Sequence, residues 1–241
     1  MAPVEVNVCS NEIEVISSLS KLIESKANET LQKNNCFRVG LSGGSLIKFL
    51  CKGLPSVNTN WQKWQFFFCD ERLVPFDDKE STFGCYKRDL MPLIPITESQ
   101  FITIDPSLKG EDSAQDYTRK IEQEFRISSS FPKFDLLLLG IGPDGHTCSL
   151  FPNHPLLKEE KKWVASIDDS PKPPPSRITL TLPVLNNSKC AVFATIGESK
   201  AEILKEILEG NSVQPLPAAL VRPTQGELHW IVDREAAKLL L

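Results

Sequence analysis

Four consecutive leucines, residues 136–139, run into Gly140-Ile141-Gly142-Pro143-Asp144-Gly145-His146. A strand with one face in water alternates apolar and polar side chains, so this unbroken run reads as a parallel strand buried on both faces. Such a strand needs helices above and below it, which restricts the chain to a few layered α/β arrangements. Proline fixes φ, aspartate tolerates tight turns and glycine accepts positive φ, so Pro143-Asp144-Gly145 ends the strand in a turn. His146 therefore stands just past a strand's carboxyl end, where open α/β sheets place their ligand crevice.

The pattern recurs along the chain. Residues 37–41 form a short strand that ends in Ser42-Gly43-Gly44-Ser45, and residues 46–52 continue as a helix. Residues 65–69 form a phenylalanine-rich strand ending at Asp70-Glu71-Arg72, and residues 191–196 form a buried strand followed by Gly197-Glu198-Ser199-Lys200 and a helix over 201–209. Ile13, Ile16, Leu19, Leu22 and Ile23 recur at helical spacing after an Asn11/Glu14 capping pattern. Ala114, Tyr117, Ile121 and Phe125 mark a second amphipathic helix. Residues 4–8, 101–104, 163–167 and 228–232 read as further strands, 77–82 as polar loop, and Asp233 as the cap of a final helix. Ile178, Leu180 and Leu182 alternate with Thr179 and Thr181, the pattern of a half-buried strand entered by Arg177. The order is mostly β then α, which predicts an α/β fold with a mostly parallel sheet and helices on both faces.

At 241 residues the chain can bury one sizeable core, and residues 1–241 read as a single domain. Its 27 basic and 31 acidic residues give a net charge of −4, which favours neither nucleic acid nor an anionic membrane. An anionic ligand must then be held by a few placed cations. The seven cysteines are an odd number without a C-x-x-C pair, so reduced thiols in a cytoplasmic protein are expected. No secretory pattern opens the sequence and no apolar run reaches transmembrane length.

Collected at one edge of such a sheet, the candidate residues fall into two sets. Ser42, Gly43, Gly44, Ser45, Arg72, Arg177 and Lys200 suit a phosphate, because backbone N–H groups at a helix start and fixed cations both favour an anion. Lys200 is in a helix's first turn, where the macrodipole disfavours a cation unless an anion accompanies it. His146, with Asp144 or Asp70 as carboxylate partner, suits proton transfer near neutral pH. Either set has an ordinary explanation alone: glycine makes tight turns, and charges gather in loops. Pro171-Lys172-Pro173-Pro174-Pro175 contains a formal P-x-x-P but reads as a stiff surface loop, able to act as a lid.

LSGGS, FFCDERLVP, GIGPDGHTCSLFP, PPPSRITLTLPVLN and GESKAEIL together resemble the 6-phosphogluconolactonase family of the pentose phosphate pathway in its animal form, a match over residues 37–208 that continues more weakly to Trp230. The resemblance implies the Rossmann-like fold shared with glucosamine-6-phosphate deaminase, without a nucleotide. It also implies hydrolysis of a phosphosugar lactone with no metal or cofactor; apart from the resemblance, no heptad or long exposed edge demands a partner, so a monomer is expected. By that resemblance His146 is the general base and Asp144 supports it, while Arg72, Arg177 and Lys200 hold phosphate and developing charge and Ser42 to Ser45 line the site. The deaminases carry a glutamate, assisting ring opening, where this chain has Phe151, which argues against amine release. Asp70 matches their proton-abstracting aspartate and is left a structural or water-placing part.

Two other readings use the same residues. Gly40-Leu41-Ser42-Gly43-Gly44 matches G-x-S-x-G, and Ser42, Asp144 and His146 fall in serine, acid, histidine order, as in a serine esterase. Only about 40 residues precede the serine, too few for the strands that come first in that fold, and Asp144 and His146 share one turn. A non-catalytic sugar-phosphate binding protein would keep the phosphate groups without needing the Asp144 and His146 pair.

Overall fold

The structure, a computed structural model, describes residues 4–241. In chain order its elements are β1 (Val4–Cys9), α1 (Glu12–Lys33), β2 (Phe37–Leu41), α2 (Ser45–Gly53), β3 (Trp64–Phe68), β4 (Asp70–Arg72), α3 (Thr82–Asp89), α4 (Gly110–Phe125), β5 (Leu136–Leu139), β6 (Val164–Ile167), β7 (Arg177–Leu180), α5 (Leu182–Leu185), β8 (Cys190–Thr195), α6 (Ala201–Glu209), β9 (Glu227–Asp233) and α7 (Arg234–Ala237). Six strands form one sheet in the order β1-β9-β8-β5-β2-β3, and every pairing in it is parallel. The expected α/β fold is thus present. A second, antiparallel sheet of β4, β7 and β6 stands beside it.

The strand order explains where a ligand can sit. From β1 through β2 to β3 the chain moves across the sheet in one direction, and from β3 back through β5, β8 and β9 it moves in the other. Right-handed crossovers then place α1 and α2 on one face and α4 and α6 on the opposite one. The reversal falls between the neighbouring strands β2 and β5, so their outgoing loops part to opposite faces and leave a crevice at their carboxyl ends.

Packing fixes these strands. All four residues of β5 and all six of β8 are buried, and each fully covered leucine or phenylalanine contributes about 1.5–3 kcal/mol by leaving water. Phe66 and Phe68 of β3 stack on Phe101, and Phe83 of α3 meets Phe68 and Phe101. Tyr117 of α4 reaches the end of β3, where its hydroxyl accepts the Phe68 N–H at 2.7 Å, holding the point where the chain leaves towards Asp70.

Three local expectations change. Phe101 makes only a single bridge to Phe66, so residues 101–104 form no strand. The polar loop 77–82 ends in a helix start, with Ser81 Oγ accepting the Gly84 N–H and α3 following. β7 is buried along its whole length rather than half-buried, because Thr179 is satisfied inside: its Oγ1 accepts the Ser149 N–H.

Candidate active site

Ser42 follows β2 directly, and its N–H continues the ladder to Leu138 O of β5. Tyr86 of α3 donates to the Ser42 carbonyl at 2.7 Å. The peptide is held from two sides, yet Ser42 Oγ is buried with no partner. Gly44 stands at the N-cap of α2, and no side chain caps that helix. Ser42 and the uncapped start of α2 line the crevice, and the spare N–H groups of a helix start favour an anion.

Beyond β3, Asp70, Glu71 and Arg72 form the short strand β4, and the three side chains do different things. Asp70 is buried and accepts the Ser149 hydroxyl at 2.8 Å. Glu71 turns inward, where its carboxylate accepts the Thr82 and Phe83 N–H groups at 2.7 Å each and so holds the start of α3. Burial pushes its pKa up to about 7 against those hydrogen bonds. Arg72 lines the cavity and donates to Glu80 O at 2.8 Å, while its Nε is buried and unpartnered.

The loop after β5 closes on itself. Gly142 N–H donates to His146 O at 2.9 Å and Gly145 N–H to Gly142 O at 3.1 Å, with Gly145 at φ +78°. A Cβ on Gly142 would overlap the His146 ring, so only glycine lets the imidazole lie across that turn. His146 Nδ1 is 2.5 Å from Asp144 Oδ1. A carboxylate only accepts, so Nδ1 carries the proton and Nε2 keeps the lone pair. The Phe151 ring packs against the imidazole, with centroids 4.8 Å apart.

Lys172, which the sequence marks only as part of a proline-rich loop, reaches this pair. Its Nζ is 3.1 Å from Asp144 Oδ1 and 3.1 Å from His146 Nδ1. Burial lowers the pKa of His146, Asp144 raises it in opposition, and the Lys172 charge lowers it further. Burial works to raise the Asp144 pKa, but the His146 and Lys172 contacts prevail and hold it near 2. The pair is thus neutral imidazole beside ionised carboxylate at neutral pH.

Arg177 stands on the crevice wall, as expected, and its guanidinium is also tied to the neighbouring loop. Its guanidinium donates to Pro174 O at 3.0 Å, Lys172 O at 2.9 Å and Pro173 O at 3.2 Å, and also to Ser149 Oγ at 3.4 Å. It fastens the proline-rich loop and presents only its remaining edge to the crevice. Lys200 Nζ donates to Ile141 O at 2.9 Å and steadies the same turn from behind.

A cavity of about 130 Å³ collects Ser42, Gly43, Gly44, Ser45, Asp70, Arg72, His146 and Arg177, with Cys148 also on its wall. Asp144 and Lys200 stand one contact back, on His146 and on Ile141. A larger groove of about 690 Å³ opens at the other end of the sheet. Its Asp135 is paired with Lys189 at 2.7 Å and no imidazole lines it, so the smaller cavity holds the combination suited to proton transfer next to an anion.

The family model described as glucosamine-6-phosphate isomerases/6-phosphogluconolactonase matches residues 10–230. The 6-phosphogluconolactonases of Rattus norvegicus and Homo sapiens are each 51% identical to the chain over 245 residues, which covers 99% of this chain and 95% of theirs. Among solved structures, the 6-phosphogluconolactonase from Trypanosoma cruzi superposes with a TM-score of 0.86 at 27% identity, over 100% of this chain and 98% of that one.

Proposed function

The chain belongs to the glucosamine-6-phosphate isomerase/6-phosphogluconolactonase family, and from that premise we propose that it hydrolyses 6-phospho-D-glucono-1,5-lactone to 6-phospho-D-gluconate, with His146 as general base. The observation that carries the mechanism is the 2.5 Å contact of His146 Nδ1 with Asp144 beside a cavity lined by Ser42 and Arg72, whose Oγ and Nε are buried without partners. Water attacks the lactone carbonyl as Nε2 takes its proton. The carbonyl becomes a tetrahedral oxyanion, and its collapse breaks the ring C–O bond, with the proton passing to the departing hydroxyl. Asp144 holds the Nδ1 proton and stabilises the imidazolium that forms, and Lys172 orients Asp144 by donating to the same carboxylate oxygen.

The phosphate belongs at the start of α2. There the Gly43 to Ser45 backbone, the Ser42 hydroxyl and Arg72 supply donors, each charge-assisted bond contributing about 1.5–3 kcal/mol. Asp70, tied to Ser149, keeps the crevice floor in place, and Lys200 supports the Ile141 turn while adding positive potential. The reaction needs no cofactor and fits the lactone-opening step of the pentose phosphate pathway. A cytoplasmic location agrees with seven cysteines that are all free.

The test follows loss of the phosphorylated lactone against its spontaneous hydrolysis. Purified protein should accelerate it, and should act far more weakly on the unphosphorylated lactone. Binding of 6-phosphogluconate without acceleration would instead make the chain a sugar-phosphate binding protein.

Two variants probe the chemistry. A nucleophilic serine must be within reach of its base, but Ser42 Oγ has no hydrogen-bond partner, His146 Nε2 included. Ser42→Ala should therefore raise KM severalfold and leave most of kcat, about 1–2 kcal/mol of lost binding. A fluorophosphonate adduct on Ser42 would establish the esterase reading instead. Gly142→Ala forces the His146 ring off Asp144, and a displacement of that size should lower kcat about 10²-fold, read from steady-state rates on folded variant.

A further inference from the structure

At the opposite end of the sheet from the crevice, Cys190 Sγ, a Glu227 carboxylate oxygen and a ring nitrogen of His229 lie within 4.8 Å of one another. Strand register brings them together. Cys190 opens β8 directly opposite Glu227, which opens β9, and His229 follows two residues later on the same face. Glu5 of β1 is paired with His229, and its carboxylate is 3.1 Å from Nδ1. Nε2, on the other side of the ring, is 2.8 Å from Glu227. A carboxylate on one ring nitrogen fixes the tautomer and leaves the other nitrogen as a ligand.

A cation already occupies part of this place. Lys26 Nζ from α1 is 2.8 Å from the Glu227 carboxylate. Cys190 and His229 are buried at 1% and 8% exposure, while Glu227 is exposed on a cavity of about 200 Å³ that also reaches Cys190, so an ion has a way in.

We propose that Cys190 Sγ, His229 Nε2 and the Glu227 carboxylate form a binding site for one borderline-soft divalent transition-metal ion of the zinc class, with water completing a tetrahedron and Glu5 holding His229. One thiolate, one imidazole and one carboxylate are the donors such ions select, whereas magnesium and calcium require oxygen alone. The Sγ–metal bond forms as the thiol proton passes to solvent, and the Lys26 ammonium leaves Glu227 for water. With ligands on β8 and β9 and the supporting carboxylate on β1, the ion ties three neighbouring strands at their amino-terminal ends. It takes no part in lactone opening.

The test uses full-length protein freed of metal by a chelator and dialysed against zinc, then against cobalt as a spectroscopic probe. One ion per chain should be retained, and cobalt should give a thiolate-to-metal charge-transfer band that Cys190→Ser abolishes. His229→Ala should weaken retention at least tenfold, and Glu5→Gln about tenfold, as loss of a supporting carboxylate does. Lys26→Gln removes the competing cation at the end of the sheet away from the crevice, so it should tighten binding with lactone opening unchanged. The proposal is overturned if the unmodified chain retains no ion, if the cobalt band survives in Cys190→Ser, or if Lys26→Gln weakens binding. Retention that disappears only with His146→Asn would assign the ion to the crevice and equally overturn it.

Discussion

In the His146→Asn variant, lactone opening at neutral pH should fall by about 10²–10⁴-fold in kcat while KM changes little. Asparagine retains the volume and a hydrogen bond to Asp144 but has no basic nitrogen to take a proton from water. The same variant decides the pH profile. Burial lowers the His146 pKa, Asp144 opposes this and Lys172 reinforces it, so the net displacement is downward from 6.5. Activity should therefore hold from neutral pH to below 6.5 and decline only as the imidazole becomes protonated in the folded protein. Asp144, held near 2, remains ionised throughout that range and cannot produce the decline. The sign for stability runs the same way. Because the folded pKa is depressed, the unfolded chain binds the proton first as pH drops, so the contribution of this histidine is present above 6.5 and lost as pH falls through the folded value. Measuring kcat/KM from pH 5 to 8 for both proteins checks the assignment. An acid limb that persists unchanged in His146→Asn would place the base elsewhere.

The elements read correctly from sequence are those whose pattern is set by burial alone. β5 and β8 are covered on both faces, and such strands appear in sequence as unbroken apolar runs. β7 misled for a related reason. Thr179 looks like a solvent-facing position between Ile178 and Leu180, but a threonine can be buried when its hydroxyl is satisfied, and the Ser149 N–H satisfies it. Glu71 shows the same effect in a charged residue. The Asp70-Glu71-Arg72 triplet resembles an ordinary loop entry, yet Glu71 is 1% exposed because the α3 N-terminus brings two N–H groups to it from eleven and twelve residues away.

The site divided along the same line. Ser42, Asp144 and His146 are legible because each follows directly on a strand or turn that dictates its position. Lys172 is not, since a proline-rich segment specifies stiffness and gives no indication of where its one lysine points. Its backbone carbonyl is held by Arg177, a contact over five residues that the sequence does not announce.

Arg177→Lys should accordingly lower kcat by about 10–10²-fold, raise KM only slightly, and destabilise the fold by about 1–3 kcal/mol. A guanidinium is a planar fork, and here its Nε and Nη2 serve the carbonyls of Lys172, Pro173 and Pro174 while Nη1 reaches Ser149. An ammonium at the end of a lysine stem keeps the charge but cannot span all three carbonyls, so buried acceptors lose their donors. Arg177 is 3% exposed, and little water can replace them. The loop then relaxes, and with it Lys172, whose Nζ is held 3.1 Å from both members of the pair. Losing that cation removes a donor to Asp144 and one of the two influences that keep His146 neutral. The acid limb should consequently move to higher pH in Arg177→Lys, a change that destabilisation alone would not cause. Kinetics at several pH values and a denaturant melt distinguish the cases. If KM rises tenfold or more with kcat and the acid limb intact, Arg177 is a phosphate ligand and its grip on the loop is incidental.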